Sequence, residues 1–160
     1  MTRHQQQIGN HGQTLAASAL SALGIEMVEH IATPVHLIAA DRTRKYYRVV
    51  YGEKVSGDHR GVLPGGMSVL AETKTILDRN LRFSDLREHQ PARLTEHAKH
   101  GGLSLLVWVH HTGIYILQWP IVGFTKGESI PIEFAAIVAT TTADHIRTLI
   151  DIYQDTQLAE

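Results

Sequence analysis

Cysteine is absent from this chain of 160 residues, and its absence excludes several classes of protein. A disulfide-stabilised secreted domain, a thiolate zinc finger, an iron–sulfur protein and an enzyme with a cysteine nucleophile all need the missing thiol. Long apolar runs are absent too, since none approaches the roughly 18 residues of a membrane-spanning helix. Residues 1–7 are polar and lack the apolar region of a signal peptide, so we expect a cytoplasmic protein with no membrane partner.

Charged residues make up only 19% of the chain and hydrophobic residues 43%, which is typical of a globular protein with one core. Residues 1–120 carry thirteen Lys and Arg against ten Asp and Glu, whereas residues 121–160 carry two against six. A mildly basic body suits a polyanionic partner without requiring one. The length predicts one domain over residues 1–160, with residues 1–9 as a flexible arm and residues 124–160 as a C-terminal extension packed on the domain.

Local patterns predict a mixed sheet flanked by helices. Asn10 can cap a helix that runs to about Leu23, and Ser84 can cap a helix that runs to about His100. The fully apolar run at 103–109 indicates a central, buried strand. Extended or strand segments are also expected at 25–40, 41–54, 56–63, 67–75, 114–119 and 131–139, with a last helix from Thr142 to about Tyr153. This order of helices and strands predicts an α/β or α+β protein.

The most informative local feature is a predicted hairpin around the Pro-Gly-Gly turn at 64–66. Asp58 lies at the start of its first strand, while Glu72 and Lys74 lie towards the end of its second. Residues two apart on a strand share a face, and the hairpin folds Asp58 back towards that face. The sequence therefore predicts that two carboxylates and one ammonium group converge.

These groups suggest metal-assisted hydrolysis of a phosphodiester. Mg²⁺ prefers oxygen ligands and keeps waters and substrate phosphate, and the Thr73 carbonyl is a possible third ligand. Lys74 would assist the attacking water and stabilise charge on the phosphate oxygens. The alternative is an ordinary ion pair between Glu72 and Lys74 on a half-exposed strand, because Glu-x-Lys triplets are common.

Segment 41–54 is rich in basic residues and tyrosines. Cationic side chains can contact DNA phosphates, and tyrosine rings can stack on unpaired bases. The alternative is a twisted surface hairpin without a partner. The candidate DNA-binding residues are Arg42, Arg44, Lys45, Tyr46, Tyr47, Arg48, Tyr51 and Lys54.

Five short motifs follow one another in a characteristic order. They are Asn10-His11-Gly12-x-x-Leu15, a strand break at Thr33-Pro34-Val35, Gly57-Asp58-x-x-Gly61, Glu72-x-Lys74 and His89-Gln90. The ordered set, over residues 9 to about 120, resembles the RecU-type Holliday junction resolvases of the PD-(D/E)xK nuclease superfamily. The resemblance implies an α/β, restriction-endonuclease-like fold, with a mixed central sheet flanked by helices and a protruding β-stalk at about 41–54.

The same resemblance implies a function and a site. The activity would be Mg²⁺-dependent resolution of four-way DNA junctions by paired symmetric phosphodiester hydrolysis, with Mn²⁺ as a possible substitute and a homodimer as the active form. Asp58 and Glu72 match the metal carboxylates, and Lys74 matches the motif lysine. Gln90 would orient water or a ligand, and the stalk would enter the centre of the junction.

One position departs from the family pattern: Ala16 stands where the family usually places a glutamate in the first helix. Glu26 or Glu29 could supply a carboxylate from the next strand. The departure keeps other functions open, namely a weakened or inactive branched-DNA-binding accessory protein, or a nuclease of the same fold acting on other DNA structures. A protein with no nucleic-acid role is a further alternative. Residues after about 123 have no clear counterpart in the resemblance.

Overall fold

The computed structural model of the chain describes residues 3–32, 35–41, 46–51 and 57–158. Three helices and nine strands occur in these ranges. In chain order they are α1 (Arg3–Ala22), β1 (Glu26–His30), β2 (Val35–Asp41), β3 (Tyr46–Tyr51), β4 (His59–Val62), β5 (Ser68–Thr75), β6 (Leu81–Arg82), α2 (His89–Lys99), β7 (Leu103–His110), β8 (Gly113–Gln118), β9 (Ser129–Ile130) and α3 (Ile132–Leu158). A short 3₁₀ turn, Phe83–Asp85, precedes α2.

A five-stranded sheet in the order β1-β4-β5-β7-β8 forms the centre of the protein. β5 and β7 run parallel and are joined through α2, while the other neighbouring strands are antiparallel. Every residue of β7 except the last is buried, because this strand has a neighbour on each side and is covered on both faces. The predicted mixed sheet flanked by helices, with a central strand at 103–109, is confirmed.

Apolar side chains form two clusters. In the first, Leu20 of α1 packs with β5 and β7. In the second, Leu94 of α2 packs with other residues of β7 and with β8. Helix α3 contributes to both, with Ala135 in the second cluster and Ile146 in the first, so residues 124–160 supply part of the core. No helix in the described ranges, α3 included, is long and apolar enough to cross a membrane.

Three predicted elements differ from the structure. Helix α1 begins at Arg3, so the flexible arm expected at residues 1–9 is helical from its third residue, since Arg and Gln are good helix formers. Helix α2 begins at His89 and not at Ser84, because Pro91 is tolerated only in the first turn of a helix.

The strand expected at 131–139 is the third difference, since this segment is the first part of α3. Its β-branched, apolar composition favours a strand locally, but short apolar runs do not distinguish strand from helix. The buried residues Ala135, Thr142 and Ile146 are about two helical turns and one helical turn apart. This spacing places them on one face of a single continuous helix. Packing along 27 residues therefore outweighs the local preference.

β2 and β3 pair antiparallel and form a two-stranded ribbon separate from the central sheet. The ribbon begins at Val35, before the start of the stalk expected at 41–54. Residues 42–45 and 52–56 of that segment lie outside the described residues, as does the strand break at 33–34.

Candidate active site

A tight turn fixes the register of the hairpin that carries the site. The Leu63 amide donates to the Met67 carbonyl and the Gly66 amide donates to the Leu63 carbonyl, both at 2.9 Å. Gly65 and Gly66 adopt φ values of 90° and 91°, a region that favours glycine over residues with a side chain. The predicted Pro-Gly-Gly hairpin is therefore confirmed.

This register brings Asp58 and Glu72 together. His59 pairs with Ala71 in the β4–β5 ladder. Asp58, one residue earlier, donates its backbone N–H to the Ala71 carbonyl at 2.8 Å, which places it next to the part of β5 that carries Glu72. Its carboxylate is close enough to raise the pKa of the Glu72 carboxyl group.

Glu72, Lys74 and Gln90 form a closed triangle of hydrogen bonds. Glu72 is only 2% exposed. Its Oε1 lies 3.0 Å from Lys74 Nζ and accepts a short hydrogen bond from Gln90 Nε2. Lys74 Nζ also donates to Gln90 Oε1 at 2.8 Å. The structure thus brings together the two motif residues of β5 and the glutamine that the resemblance placed beside them.

Two backbone amides that sequence reasoning missed support this triangle. Arg87 donates its N–H to Gln90 Oε1 at 2.7 Å, and Gly57 donates its N–H to the Glu72 carboxylate. Gly57 has a φ of 84°, and a Cβ there would overlap the Leu70 side chain, so glycine is required. The glycine before Asp58 was a signal in the sequence, whereas nothing in the residue type of Arg87 reveals a backbone role.

Asp58 is tied to the strand that carries Glu72. Its Oδ2 accepts the Thr73 N–H at 2.9 Å, and its carbonyl accepts the Ile31 N–H at 2.8 Å. The other oxygen, Oδ1, makes no hydrogen bond within the described part of the chain. One carboxylate oxygen therefore orients Asp58 and leaves the second available to a ligand.

Buried His59 joins helix α1 to the strand behind the site. Its Nδ1 lies 3.4 Å from Thr73 Oγ1, and its ring also bonds to the Gln13 carbonyl of α1. Burial lowers the pKa of His59, which favours the neutral ring. Sequence reasoning missed this contact, because a histidine next to an aspartate in a strand carries no signal of burial.

Burial and the neighbouring carboxylate change the acidity of the site. Desolvation first and Asp58 second raise the pKa of Glu72 to about 7, and Lys74 only partly offsets this rise. Near neutral pH, then, the metal-free site holds a carboxyl group close to its midpoint of ionisation. A divalent cation would favour the ionised form.

The raised pKa predicts a pH-dependent stability. Between pH 4.5 and about 7, folded Glu72 keeps a proton that the unfolded chain has lost, so the free energy of unfolding falls as pH rises through this window. Relative to Glu72→Gln, the wild type should lose up to about 3 kcal/mol across it. Urea denaturation of both proteins in EDTA at several pH values measures the difference. A difference that stays constant with pH would contradict the assignment.

The donor set of the site fits Mg²⁺. No cluster of three or more His, Cys, Asp or Glu that could hold a metal occurs among the residues that the structure describes. Mg²⁺ does not need one, because it binds through one or two carboxylates and keeps waters and substrate oxygens as further ligands. Asp58 and Glu72 provide those two carboxylates, next to the Thr73 backbone.

The first helix and the first strand do not add a carboxylate. Ala16 is fully buried in the first apolar cluster with Leu20. Glu29 pairs with Arg60 at 2.8 Å on the surface, and Glu26 is exposed on the edge strand β1. None of the expected substitutes for a helix glutamate therefore bonds to the site residues.

The structure describes only some of the candidate DNA-binding residues of segment 41–54. Arg42, Arg44, Lys45 and Lys54 lie outside the described residues. For Tyr46, Tyr47, Arg48 and Tyr51 the backbone of β3 is described and the side chains are not. Their role therefore stays a prediction from composition and resemblance.

Comparisons with known proteins agree on a family and a fold. A protein-family model described as "RecU: Recombination protein U" matches residues 16–152, a span that includes most of α3. A solved structure of Hjc from Archaeoglobus fulgidus, described as a Holliday junction resolvase from an archaeal hyperthermophile, is similar with a TM-score of 0.55 and 12% identity, covering 80% of this chain and 92% of that one. No curated protein matches the sequence. The C-terminal residues without a counterpart in the sequence resemblance thus fall largely inside the family match.

Proposed function

The chain belongs to the RecU family of recombination proteins, and we propose that it is a divalent-metal-dependent endonuclease that resolves four-way DNA junctions. One observation carries the proposal: Asp58, Glu72, Lys74 and Gln90 lie together where β5 ends, in the middle of the central sheet. Two carboxylates beside an ammonium group form the donor set that phosphodiester hydrolysis needs. The similarity of the fold to a Holliday junction resolvase supports the same substrate class.

We assign the metal to Asp58, Glu72 and the Thr73 carbonyl. Mg²⁺ is the proposed cofactor and Mn²⁺ its substitute, because both prefer oxygen ligands. When bound, the cation supplies positive charge that stabilises the phosphate oxygens during the reaction. Because the pKa of Glu72 is raised, this carboxyl group ionises as pH rises towards and past 7, and metal affinity should increase over the same range.

Lys74 and Gln90 then act on the attacking water and on the reacting phosphate. The Lys74 side chain is 15% exposed, which leaves room for contact with a phosphate oxygen while the bond to Glu72 holds the ammonium group in place. Gln90 bonds to both of these residues, which restricts their side chains to one arrangement. Groups held in place before the substrate binds need little rearrangement as charge develops.

The basic and tyrosine-rich segment 41–54 is the proposed junction-binding element. Its cations would neutralise phosphates near the branch point, and its tyrosines would stack on unpaired bases there. A four-way junction has two equivalent strands to cut. A homodimer with one site in each subunit would cut both strands symmetrically.

A branched-DNA-binding protein with weak or no cleavage is the second candidate. It is favoured by the buried Ala16, which leaves the site with two described carboxylates. Such a protein would bind four-way junctions with any divalent cation without cutting them. A nuclease that prefers flaps or nicked duplex would differ from the first proposal only in its substrate.

The test is incubation of the purified protein with a labelled four-way junction and Mg²⁺, beside a linear duplex of the same sequence. We expect symmetric nicks in the junction and none in the duplex. Tight junction binding without cleavage in both Mg²⁺ and Mn²⁺ would support the second candidate. Equal cleavage of junction and duplex would show that the substrate assignment is wrong.

A further inference from the structure

A groove of about 610 Å³ adjoins the candidate active site. It lies between the first half of α1 and the C-terminal end of β5, and Lys74 forms part of its wall. Ile8, Gly9 and Gln13 line the helix side, and Leu77 lines the opposite side. Lys74, the residue that we assign to the reacting phosphate, therefore belongs to both the site and the groove.

Glycines on α1 leave this space open. Gly12 packs against Thr75 so closely that a Cβ would overlap the threonine hydroxyl, which brings the helix backbone onto the end of β5. One turn earlier, a Cβ at Gly9 would meet nothing within 4 Å. The bond from His59 to the Gln13 carbonyl holds the helix in this position. The groove is thus a fixed feature of how α1 meets β5.

The walls combine apolar surface with one amide. Ile8 is half-buried, and Leu77 is 40% exposed although it is a large apolar residue. The side-chain amide of Gln13 makes no hydrogen bond within the ranges that the structure describes, so it can both donate and accept towards a ligand. A flat, apolar group with hydrogen-bonding atoms along one edge would match this lining.

The charged residues Asp78 and Arg79, which line the groove, make its outer part unfavourable for a phosphate. Asp78 stands on the rim and would repel a phosphate. The neighbouring Arg79 is engaged by Asp85 through two hydrogen bonds of 2.8 Å, which offsets its charge. Lys74 is the lining cation that also belongs to the candidate site, where it contacts Glu72 at 3.0 Å, so it is the cation of the groove closest to the proposed point of cleavage. A nucleotide would therefore place its phosphate at Lys74 and its base between Ile8 and Leu77.

We propose that the groove receives the nucleobase next to the cleaved phosphate and that Gln13 reads its edge. The inference rests on the proposed function, because it needs DNA cleaved at Lys74. A glutamine amide pairs with adenine through two hydrogen bonds, to N6 and N7. Adenine is accordingly the base that the groove selects, which gives the enzyme a sequence preference independent of the branched shape.

The test uses four junctions that differ only in the base flanking the cleaved phosphate. We expect wild type to cleave the adenine junction about tenfold faster in kcat/KM than the other three. Gln13→Met keeps the length of the side chain and removes the amide, so the four rates should fall within about twofold of each other. Gln7→Met, at an exposed position of the same helix, is the matched control and should keep the preference.

Binding without metal gives a second, independent measurement. In EDTA, replacing the flanking adenine by 7-deazaadenine removes the N7 acceptor, and junction affinity of wild type should fall several-fold. The same replacement should leave the affinity of Gln13→Met unchanged. Equal cleavage of all four junctions by wild type, or a preference that survives in Gln13→Met, would overturn the inference. If no junction is cut, the proposed function fails, and the 7-deazaadenine comparison still decides whether the groove binds the base.

Discussion

Replacing Lys74 with methionine should slow junction cleavage by about 10³-fold while leaving junction affinity within a few-fold. Methionine preserves most of the aliphatic stem and removes the ammonium group that lies 3.0 Å from Glu72 Oε1 and 2.8 Å from Gln90 Oε1. Under the proposed function, the lost charge stabilises the reacting phosphate and contributes little to the binding of a whole junction. Single-turnover cleavage and fluorescence anisotropy of a labelled junction measure the two quantities.

Lys99→Met is the matched control for this prediction. Lys99 is the exposed last residue of α2, and its replacement removes the same charge away from the site. We expect the Lys99→Met protein to cleave the junction at the wild-type rate. A Lys74→Met protein that retains more than a tenth of the wild-type rate would show that the chemistry does not depend on this ammonium group. Thermal unfolding of both variants establishes that each is folded.

Removing four cations from the stalk should weaken junction binding by about 10²-fold at moderate salt. The variant replaces Arg42, Arg44, Lys45 and Arg48 with alanine. Each phosphate contact releases condensed counterions, so its loss also reduces the dependence of affinity on salt. If all four residues contact phosphates, the slope of log affinity against log salt should decrease by between about 3 and 4.

The control for the stalk removes the same number of cations from exposed positions on the body of the protein. These are Arg93, Lys99, Lys126 and Arg147. We expect a much smaller loss of affinity from this control, although its change in net charge is identical. Equal losses in the two variants would mean that overall charge, and not the stalk, attracts the junction. A stalk variant that binds duplex and junction equally well would further place junction selection in this segment.

The parts of the site that were predictable from the sequence are those fixed by short-range geometry. Asp58, Glu72 and Lys74 belong to one hairpin, so strand alternation and a Pro-Gly-Gly turn are enough to bring them together. Gln90 came only from the family resemblance, because its position depends on where α2 begins and how it packs on β5. Pro91, in the first turn, is consistent with that beginning, whereas the capping preference of Ser84 favours an earlier one.

Other features were not predictable because they depend on tertiary packing. The backbone amides of Gly57 and Arg87 bond to Glu72 and Gln90, and only the folded chain shows where a backbone amide points. Gln13 is distant from the hairpin in sequence, and only the packing of α1 against the end of β5 brings it into the groove that Lys74 lines. Ala16 is the clearest example, since the sequence showed that a carboxylate was absent and the structure showed that the position lies inside the core.

The residues assigned to the chemistry all come from one uninterrupted stretch of chain, from Gly57 to Gln90. The hydrogen bonds among Glu72, Lys74 and Gln90 lie within this stretch, and closing loops of this length costs little conformational entropy. By contrast, the groove residue Gln13 and the β2–β3 ribbon come from the N-terminal third of the chain. Under the proposed assignments, the catalytic residues and the residues that select the substrate lie in different segments of the chain. Substitutions in the N-terminal segments are then expected to change which DNA is cut without altering how it is cut.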